Sequence, residues 1–181
     1  AAHRGRKDAA STDIDRWAID MMEERPYEKG LIHSTYEQAE LLHRQTPLSI
    51  RNRLRFHTQE NKAKVYEEFL RSDRSNGMVL VGAGMQEGLD LMGDAGRWQA
   101  LAKVPWPSLE DRAVAALAES DPAWYTWETL KLVMQACGRI CRGPEDYGET
   151  YILDSTFRRL YEDAKEYNLV PEWWDAAIST D

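Results

Sequence analysis

A short apolar run followed at once by a glycine-rich loop is the feature that most restricts how this chain can fold. The run is Met78-Val-Leu-Val81, and glycines follow at positions 82, 84 and 88. A strand that is apolar at every position needs cover on both faces, which is typical of a central strand in a parallel sheet. The sequence therefore predicts an α/β fold, a three-layer sandwich with helices on both faces of a mainly parallel central sheet.

The rest of the chain alternates strand-like and helix-like segments in the same way. Further strands are predicted at 30–33, within 51–58, at 98–104 and at 150–153. Helices are predicted behind the capping residues Ser11 or Thr12, Thr35, Thr58, Ser108 and Asp121. Parallel strands joined by helices bring their carboxyl ends to one edge of the sheet, where ligands bind in such folds.

Length and composition indicate one domain without a membrane span. The 181 residues are 30% charged, and no apolar run approaches the length that crosses a bilayer. Residues 1–11 carry almost no large apolar side chain and are expected to form a flexible leader, so that 12–181 make up a single domain. Six basic residues nevertheless crowd the segment 44–64, where Glu60 is the single acid, although the net charge is −8.

The two cysteines, Cys137 and Cys141, lie one helical turn apart. No second cysteine pair accompanies them and the four histidines are scattered, so no metal site is expected. We expect both to be buried apolar side chains. Free thiols without a secretory signal point to the cytoplasm.

The stretch from Gln135 to Gly148 concentrates the residues best suited to nucleotide chemistry. Arg139 and Arg142 stand three positions apart, so on a helix they share one face. Guanidinium groups remain charged and bind phosphate oxygens in pairs, which suits the charge that develops in phosphoryl transfer. The alternative is that both arginines are solvated or pair with Glu145 and Asp146.

The glycine-rich loop after the central strand is a second candidate. Its main-chain N–H groups can approach a phosphate, and Glu87 and Asp90 follow the glycines closely. Asp90 can accept ribose hydroxyls or pair with an arginine. The alternative is that the glycines merely turn the chain. No Gly-Lys-Ser or Gly-Lys-Thr occurs, so the loop is not a P-loop.

Three segments together resemble a known family. They are Gln86-Glu-Gly-Leu-Asp90, Ala102-Lys-Val-Pro-Trp-Pro107 and Gln135-Ala-Cys-Gly-Arg-Ile-Cys-Arg-Gly-Pro-Glu-Asp-Tyr-Gly148. In order and spacing they resemble the C-terminal motor domain of the XPD/DinG branch of superfamily 2 helicases, over roughly Lys29 to Arg159. The resemblance implies a RecA-like fold, related to P-loop NTPases, in a DNA helicase driven by ATP.

The resemblance also implies roles for particular residues. Arg142 would be the arginine finger, Arg139 a second phosphate or interdomain contact, and Gln135 part of the same motif. Nucleotide contacts would come from Glu87, Gly88 and Asp90. The track for single-stranded DNA would include Ser34, Thr35, Thr58 and Gly82, with the basic segment adding unspecific attraction.

In that family, ATP and Mg²⁺ are held mainly by a preceding N-terminal RecA-like domain. The 181 residues contain neither its phosphate-cradling lysine nor its acidic magnesium site, so this chain alone is expected neither to bind ATP tightly nor to hydrolyse it. Two further interpretations remain at this point. The chain would be a non-catalytic adaptor for DNA or protein, or its motor would serve a fused nuclease.

Overall fold

A parallel sheet forms the centre of the fold. The computed structural model describes residues 2–83, 91, 93–141 and 145–179, without the side chains of 2–12 and of residue 74. Within this part, five strands pair in the order β2-β3-β1-β4-β5, all parallel. They are β1 (Gly30–His33), β2 (Leu54–Phe56), β3 (Val79–Gly82), β4 (Trp98–Leu101) and β5 (Glu149–Ile152). The predicted α/β sandwich with a parallel central sheet is confirmed.

Helices precede, connect and follow these strands. They are α1 (Ala2–Glu24), α2 (Tyr36–Gln45), α3 (Leu48–Arg51), α4 (Lys62–Arg71), α5 (Arg112–Ser120), α6 (Pro122–Cys137), α7 (Thr156–Glu166) and α8 (Glu172–Asp175). Short 3₁₀ helices occupy Arg74–Asn76 and Gly93–Ala95. The chain forms two compact units, where a single domain over 12–181 was expected. The first comprises Ala1–Lys103 with Ala136–Leu153, and the second Val104–Gln135 with Asp154–Asp181.

The sheet of the first unit has an apolar core on each face. Side chains alternate along a strand, so Leu31 and Ile32 of the central strand point to opposite faces. One cluster contains Ile32 and Trp98 with residues of α1 and α2, and the other contains Leu31 with Val65 and Phe69 of α4. This alternation explains why a continuous apolar run correctly predicted a strand with helices packed on both of its faces.

A capping side chain fixes the start of α2, whereas α4 begins without one. Thr35 caps α2 as predicted, because its Oγ1 accepts a hydrogen bond from the Gln38 N–H at 3.2 Å. The prediction that Thr58 caps the next helix is wrong. The Thr58 N–H instead donates to Asn61 Oδ1 at 2.7 Å, which closes a turn, and α4 begins only after Asn61.

Two other predicted helix starts are also wrong. Helix α5 begins after Asp111, whose carboxylate accepts from the N–H groups of Ala113 and Val114, whereas Ser108 accepts from Glu110 in the preceding turn. A carboxylate is the stronger acceptor for the free N–H groups of a first turn. Helix α1 begins at Ala2, well before Ser11, so the segment expected to be a flexible leader is helical from that residue.

The second unit is helical and has its own aromatic packing. Trp174 is 6% exposed and meets Phe157 and Tyr161 at steep interplanar angles, whereas Trp173 is 69% exposed. Trp174 of α8 therefore packs against α7. None of the helices in the described part of the chain is long and apolar enough to cross a membrane.

A close approach of Trp98 to the backbone of Gly30 gives a test of the central packing. A Cβ atom at Gly30 would lie 2.2 Å from two atoms of the Trp98 indole. We expect Gly30→Ala to lower the free energy of unfolding by about 1–3 kcal/mol, measured by urea denaturation, because overpacking forces side chains and backbone to shift.

The matched control combines Gly30→Ala with a smaller aromatic side chain at position 98. All three nearest atoms belong to the six-membered ring of the indole, so Trp98→Phe should recover part of the loss in the double variant. Additive losses in the two single variants would show that the contact does not limit this position.

Candidate nucleotide and nucleic-acid site

The carboxyl edge of the sheet brings together the residues predicted to contact DNA. The Ser34 N–H, directly after β1, donates to the Gly82 carbonyl at the end of β3, with 3.0 Å between N and O. Thr35 follows as the cap of α2, and exposed Thr58 follows β2, which is the other neighbour of β3. All four residues therefore lie at one edge, with hydroxyl groups and a helix N-terminus, both of which suit phosphate oxygens.

His57 lies beneath this edge and was missed in the sequence. Its side chain is fully buried and packs on the backbone of Gly82, where a Cβ would lie 2.1 Å from Nε2. The rings of Tyr36 and Tyr66 meet it edge to face. The Gly82 glycine is therefore required by close packing with a histidine, in addition to any freedom that it gives the loop.

The side chain of Gln99 on β4 binds the end of α6. Its amide nitrogen donates to the main-chain carbonyls of Ala136 and Cys137 at 2.8 and 3.0 Å, and lies 2.8 Å from Thr150 Oγ1 on β5. The two carbonyls identify this atom as nitrogen. The amide oxygen therefore faces His33 on β1, 3.0 Å away, and accepts from its Nε2–H.

Burial keeps His33 neutral, and the contact with Gln99 places the ring proton on Nε2. Burial lowers the pKa of His33 from 6.5 to about 4, the hydrogen bond to Gln99 raises it, and the positive charge of Arg139 lowers it. The charge of Arg139 therefore contributes to keeping the buried His33 neutral.

Arg139 is not on the helix that the sequence predicted. Helix α6 ends at Cys137, and the Arg139 N–H donates to Ala136 O at 3.1 Å in a tight turn. Gln99 occupies the carbonyls that a longer helix would use, and glycine at 138 is a weak helix former. The expectation that Arg139 shares a helix face with Arg142 is therefore wrong for Arg139. Arg142 itself lies outside the described residues.

The main chain of Arg139 meets the residue that follows the glycine-rich loop. The Leu91 N–H donates to the Arg139 carbonyl at 3.4 Å, and Leu91 and Ile140 are fully buried in one cluster. Glu87, Gly88 and Asp90 lie outside the described residues. The structure nevertheless brings the end of their loop against the arginine turn, whereas Gln135 lies exposed on α6 in the second unit.

Asp146, one of the acids considered as a partner for the arginines, binds Arg97. The Arg97 Nη1 atom donates to Asp146 Oδ1 at 3.1 Å and to the Tyr147 carbonyl at 2.9 Å. The second carboxylate oxygen accepts from the Gly93 N–H at 3.3 Å. This acid therefore ties the chain after the arginine turn to the chain after the glycine-rich loop.

The cysteines differ from each other. Cys137 is largely shielded, and burial raises the pKa of its thiol to about 11, against a lowering effect of Thr150. Cys141 is exposed and donates to the Asp146 carbonyl at 3.4 Å, so the expectation that it is buried is wrong. In the described ranges no group of three or more His, Cys, Asp or Glu side chains could hold a metal ion.

Much of the basic segment serves its own backbone. Arg53 donates to three main-chain carbonyls, and Arg51 and Arg55 each donate to two. Arg55 also pairs with Glu68. These guanidinium groups hold turns and helix ends in place, a function that a count of positive charges does not show.

Some of the missed residues left a signal in the sequence. Gln99 is a polar residue inside a strand that is otherwise buried, and such a group needs hydrogen-bond partners. Its partners on α6 are 37 and 38 residues away, so the sequence shows that Gln99 needs hydrogen-bond partners but not which residues provide them. Arg97 stands before a strand and had no distinguishing pattern.

Removing the Gln99 amide tests the attachment of α6. Gln99→Leu should lower the free energy of unfolding by about 2–4 kcal/mol, because buried carbonyls and the His33 N–H lose their partner. Gln59→Leu, at an exposed position, is the control and should leave the urea midpoint nearly unchanged. Equal effects of the two variants would contradict the assigned contact.

The buried His33 predicts a pH dependence of stability. Between pH 6.5 and about 4 the unfolded chain binds a proton that the folded chain does not, so the free energy of unfolding falls as the pH falls. The full shift amounts to about 3 kcal/mol. Urea denaturation should show that the wild type loses about this much more free energy of unfolding than His33→Gln as the pH falls from 6.5 to about 4. Parallel pH profiles of the two proteins would contradict the role assigned to His33.

Comparisons with known proteins agree with this geometry. Residues 28–176 match the helicase C-terminal domain family. A regulator of telomere elongation helicase 1 homolog of Drosophila melanogaster is 29% identical over 124 residues, which cover 59% of this chain and 12% of the relative. The XPD helicase subunit of the general transcription and DNA repair factor IIH of Dictyostelium discoideum is 26% identical over 112 residues, 56% of this chain and 14% of that protein.

A solved structure shows the same fold. The helicase MrfA, of the DUF1998 type and crystallised bound to DNA, aligns with a TM-score of 0.52 at 12% identity over 90% of this chain and 20% of its own. The chain thus spans about an eighth of the length of its curated relatives. With the family match covering most of the sequence, the chain belongs to the helicase C-terminal domain family and has the RecA-like fold of the XPD/DinG-like branch of superfamily 2.

Proposed function

We propose that this chain is the C-terminal motor domain of an ATP-dependent DNA helicase and that it supplies the arginine finger. ATP and Mg²⁺ would be held mainly by an N-terminal RecA-like domain of the same protein. Arg142 would approach the γ-phosphate, with Arg139 as a second phosphate or interdomain contact and Gln135 beside them. Glu87, Gly88 and Asp90 would contact the nucleotide from the glycine-rich loop.

The observation that carries this proposal is the junction between Leu91 and Arg139. The hydrogen bond of 3.4 Å between their main chains joins the end of the glycine-rich loop to the arginine turn. Each segment carries side chains suited to a nucleotide, Asp90 after the glycines and the arginines at 139 and 142. The junction supports a single site in which the arginines face the phosphates of one nucleotide and Asp90 accepts its ribose hydroxyls.

The carboxyl edge of the sheet would form part of the track for single-stranded DNA. Ser34, Thr35 and Thr58 offer hydroxyl groups, and Gly82 lets the main chain approach closely. The contact between Ser34 and Gly82 holds two of these groups together. Without the other motor domain, the chain alone would neither bind ATP tightly nor hydrolyse it.

The decisive variant is Arg142→Ala in the full-length helicase. We expect DNA-stimulated ATP turnover to fall by about 10³–10⁵-fold, because an arginine finger acts on charge that develops in the transition state. Steady-state phosphate release measures it. The KM for ATP should change much less, since the other motor domain holds the nucleotide.

Arg158→Ala, at an exposed position of α7 in the second unit, is the matched control and should turn over ATP normally. Near-normal turnover of Arg142→Ala would overturn the proposal. The non-catalytic adaptor for DNA or protein would then be the better description.

A further inference from the structure

Arg97 joins two parts of the chain that the proposed function places around one nucleotide. Its Nε and Nη2 atoms donate to Asp94 Oδ1 at 2.8 and 2.6 Å, and its Nη1 atom donates to Asp146 Oδ1 at 3.1 Å. The same Nη1 lies 2.9 Å from the Tyr147 carbonyl. We call Arg97, Asp94, Asp146 and Tyr147 the Arg97 cluster. Arg97 and Asp146 are 15% and 14% exposed, so the bond between them is largely shielded from water, whereas Asp94 is 57% exposed.

The Asp146 carboxylate uses both of its oxygens. Oδ2 accepts from the Gly93 N–H at 3.3 Å, and Oδ1 accepts from the Tyr147 N–H at 3.0 Å in addition to Arg97. The Tyr147 ring covers the Arg97 guanidinium at 4.0 Å. A shielded ion pair whose carboxylate also accepts hydrogen bonds from main-chain N–H groups fixes the course of both chain segments. An exposed ion pair contributes little to stability.

A second tie runs parallel to the first. Leu91 meets Arg139 through the main chain, and Leu91 and Ile140 pack in one buried cluster. Gly96 and Gly148 border this contact, since a Cβ at either would lie within 3.0 Å of Leu91 or Ile140 side-chain atoms. The chain after the glycine-rich loop and the chain on both sides of 142–144 are therefore held in one arrangement.

We propose that Arg97 and Asp146 are positioning residues for ATP hydrolysis, setting the spacing between the glycine-rich loop and the arginine finger. This inference rests on the proposed function. Both would act indirectly, through the main chain of Gly93, Tyr147 and their neighbours. A finger displaced by about 1 Å loses about two orders of magnitude in rate, so the spacing itself is worth maintaining with a shielded ion pair.

A positioning role and a merely structural role predict different kinetics. Removing a purely structural ion pair lowers stability and leaves the kcat of the folded fraction unchanged. Removing a positioning pair lowers kcat while the KM for ATP stays nearly constant, because ATP is held by the other motor domain and only the transition state loses a contact.

The experiment compares Arg97→Gln, Asp146→Asn and their combination in the full-length helicase, at a temperature where all variants are folded. The matched control is Arg25→Gln, which removes another partly buried arginine of the same unit, paired with Glu28 and Glu149. We expect kcat to fall about 10–100-fold in the two single variants with less than about a threefold change in KM. The double variant should be no slower than the slower single variant, because both remove one interaction.

Arg25→Gln should lose stability without losing kcat. If Arg97→Gln fails to fold, the near-isosteric Asp146→Asn carries the test. A kcat of Asp146→Asn equal to that of Arg25→Gln would overturn this inference. The proposed function is tested separately: if Arg142→Ala abolishes turnover while the Arg97 and Asp146 variants keep it, only the positioning role is lost.

Discussion

The candidate site depends on the hydrogen bonds of one side chain, that of Gln99. From one position on β4 its amide binds a histidine on β1, lies against a hydroxyl on β5 and takes up the last carbonyls of α6. Such carbonyls have no partner inside their own helix, and burying them without a donor is costly. One amide therefore satisfies the helix end, spans three strands and determines where the chain leaves the helix.

The point at which α6 ends determines what Arg139 can do. A helix continued through 142 would carry its arginines on a smooth cylinder, with side chains pointing outward at fixed intervals. The turn after Cys137 instead directs the Arg139 carbonyl toward Leu91. The cost of ending the helix early is offset by Gln99, and the gain is contact between two segments that are distant in sequence.

The fold was predictable because its signals are local and redundant. The apolar runs at 30–33 and 78–81 identified the two central strands, and Thr35 was recognised as a cap. The predictions for Thr58 and Ser108 were wrong because each residue lies in a turn that precedes the helix. Asn61 accepts the N–H of Thr58 and closes the first turn, and Asp111, three residues after Ser108, caps α5 instead. The turn at Arg139 could not be predicted, since the group that ends the helix comes from a strand 37 residues away. The partnership of Arg97 with Asp146 across 49 residues was out of reach for the same reason.

The arginines of the basic segment change how the carboxyl edge would interact with a nucleic-acid backbone. Arg51, Arg53 and Arg55 are bonded to carbonyls of their own chain, and Arg53 alone holds Met22, Arg25 and Gly77. These hydrogen bonds leave the positive charge of each guanidinium in place but occupy N–H groups that could otherwise bind a phosphate. Direct contacts at this edge would then come mainly from hydroxyl groups and main-chain amides, which release few of the counterions around a phosphate chain. Binding of a strand at this edge would therefore depend on ionic strength less steeply than the number of arginines suggests.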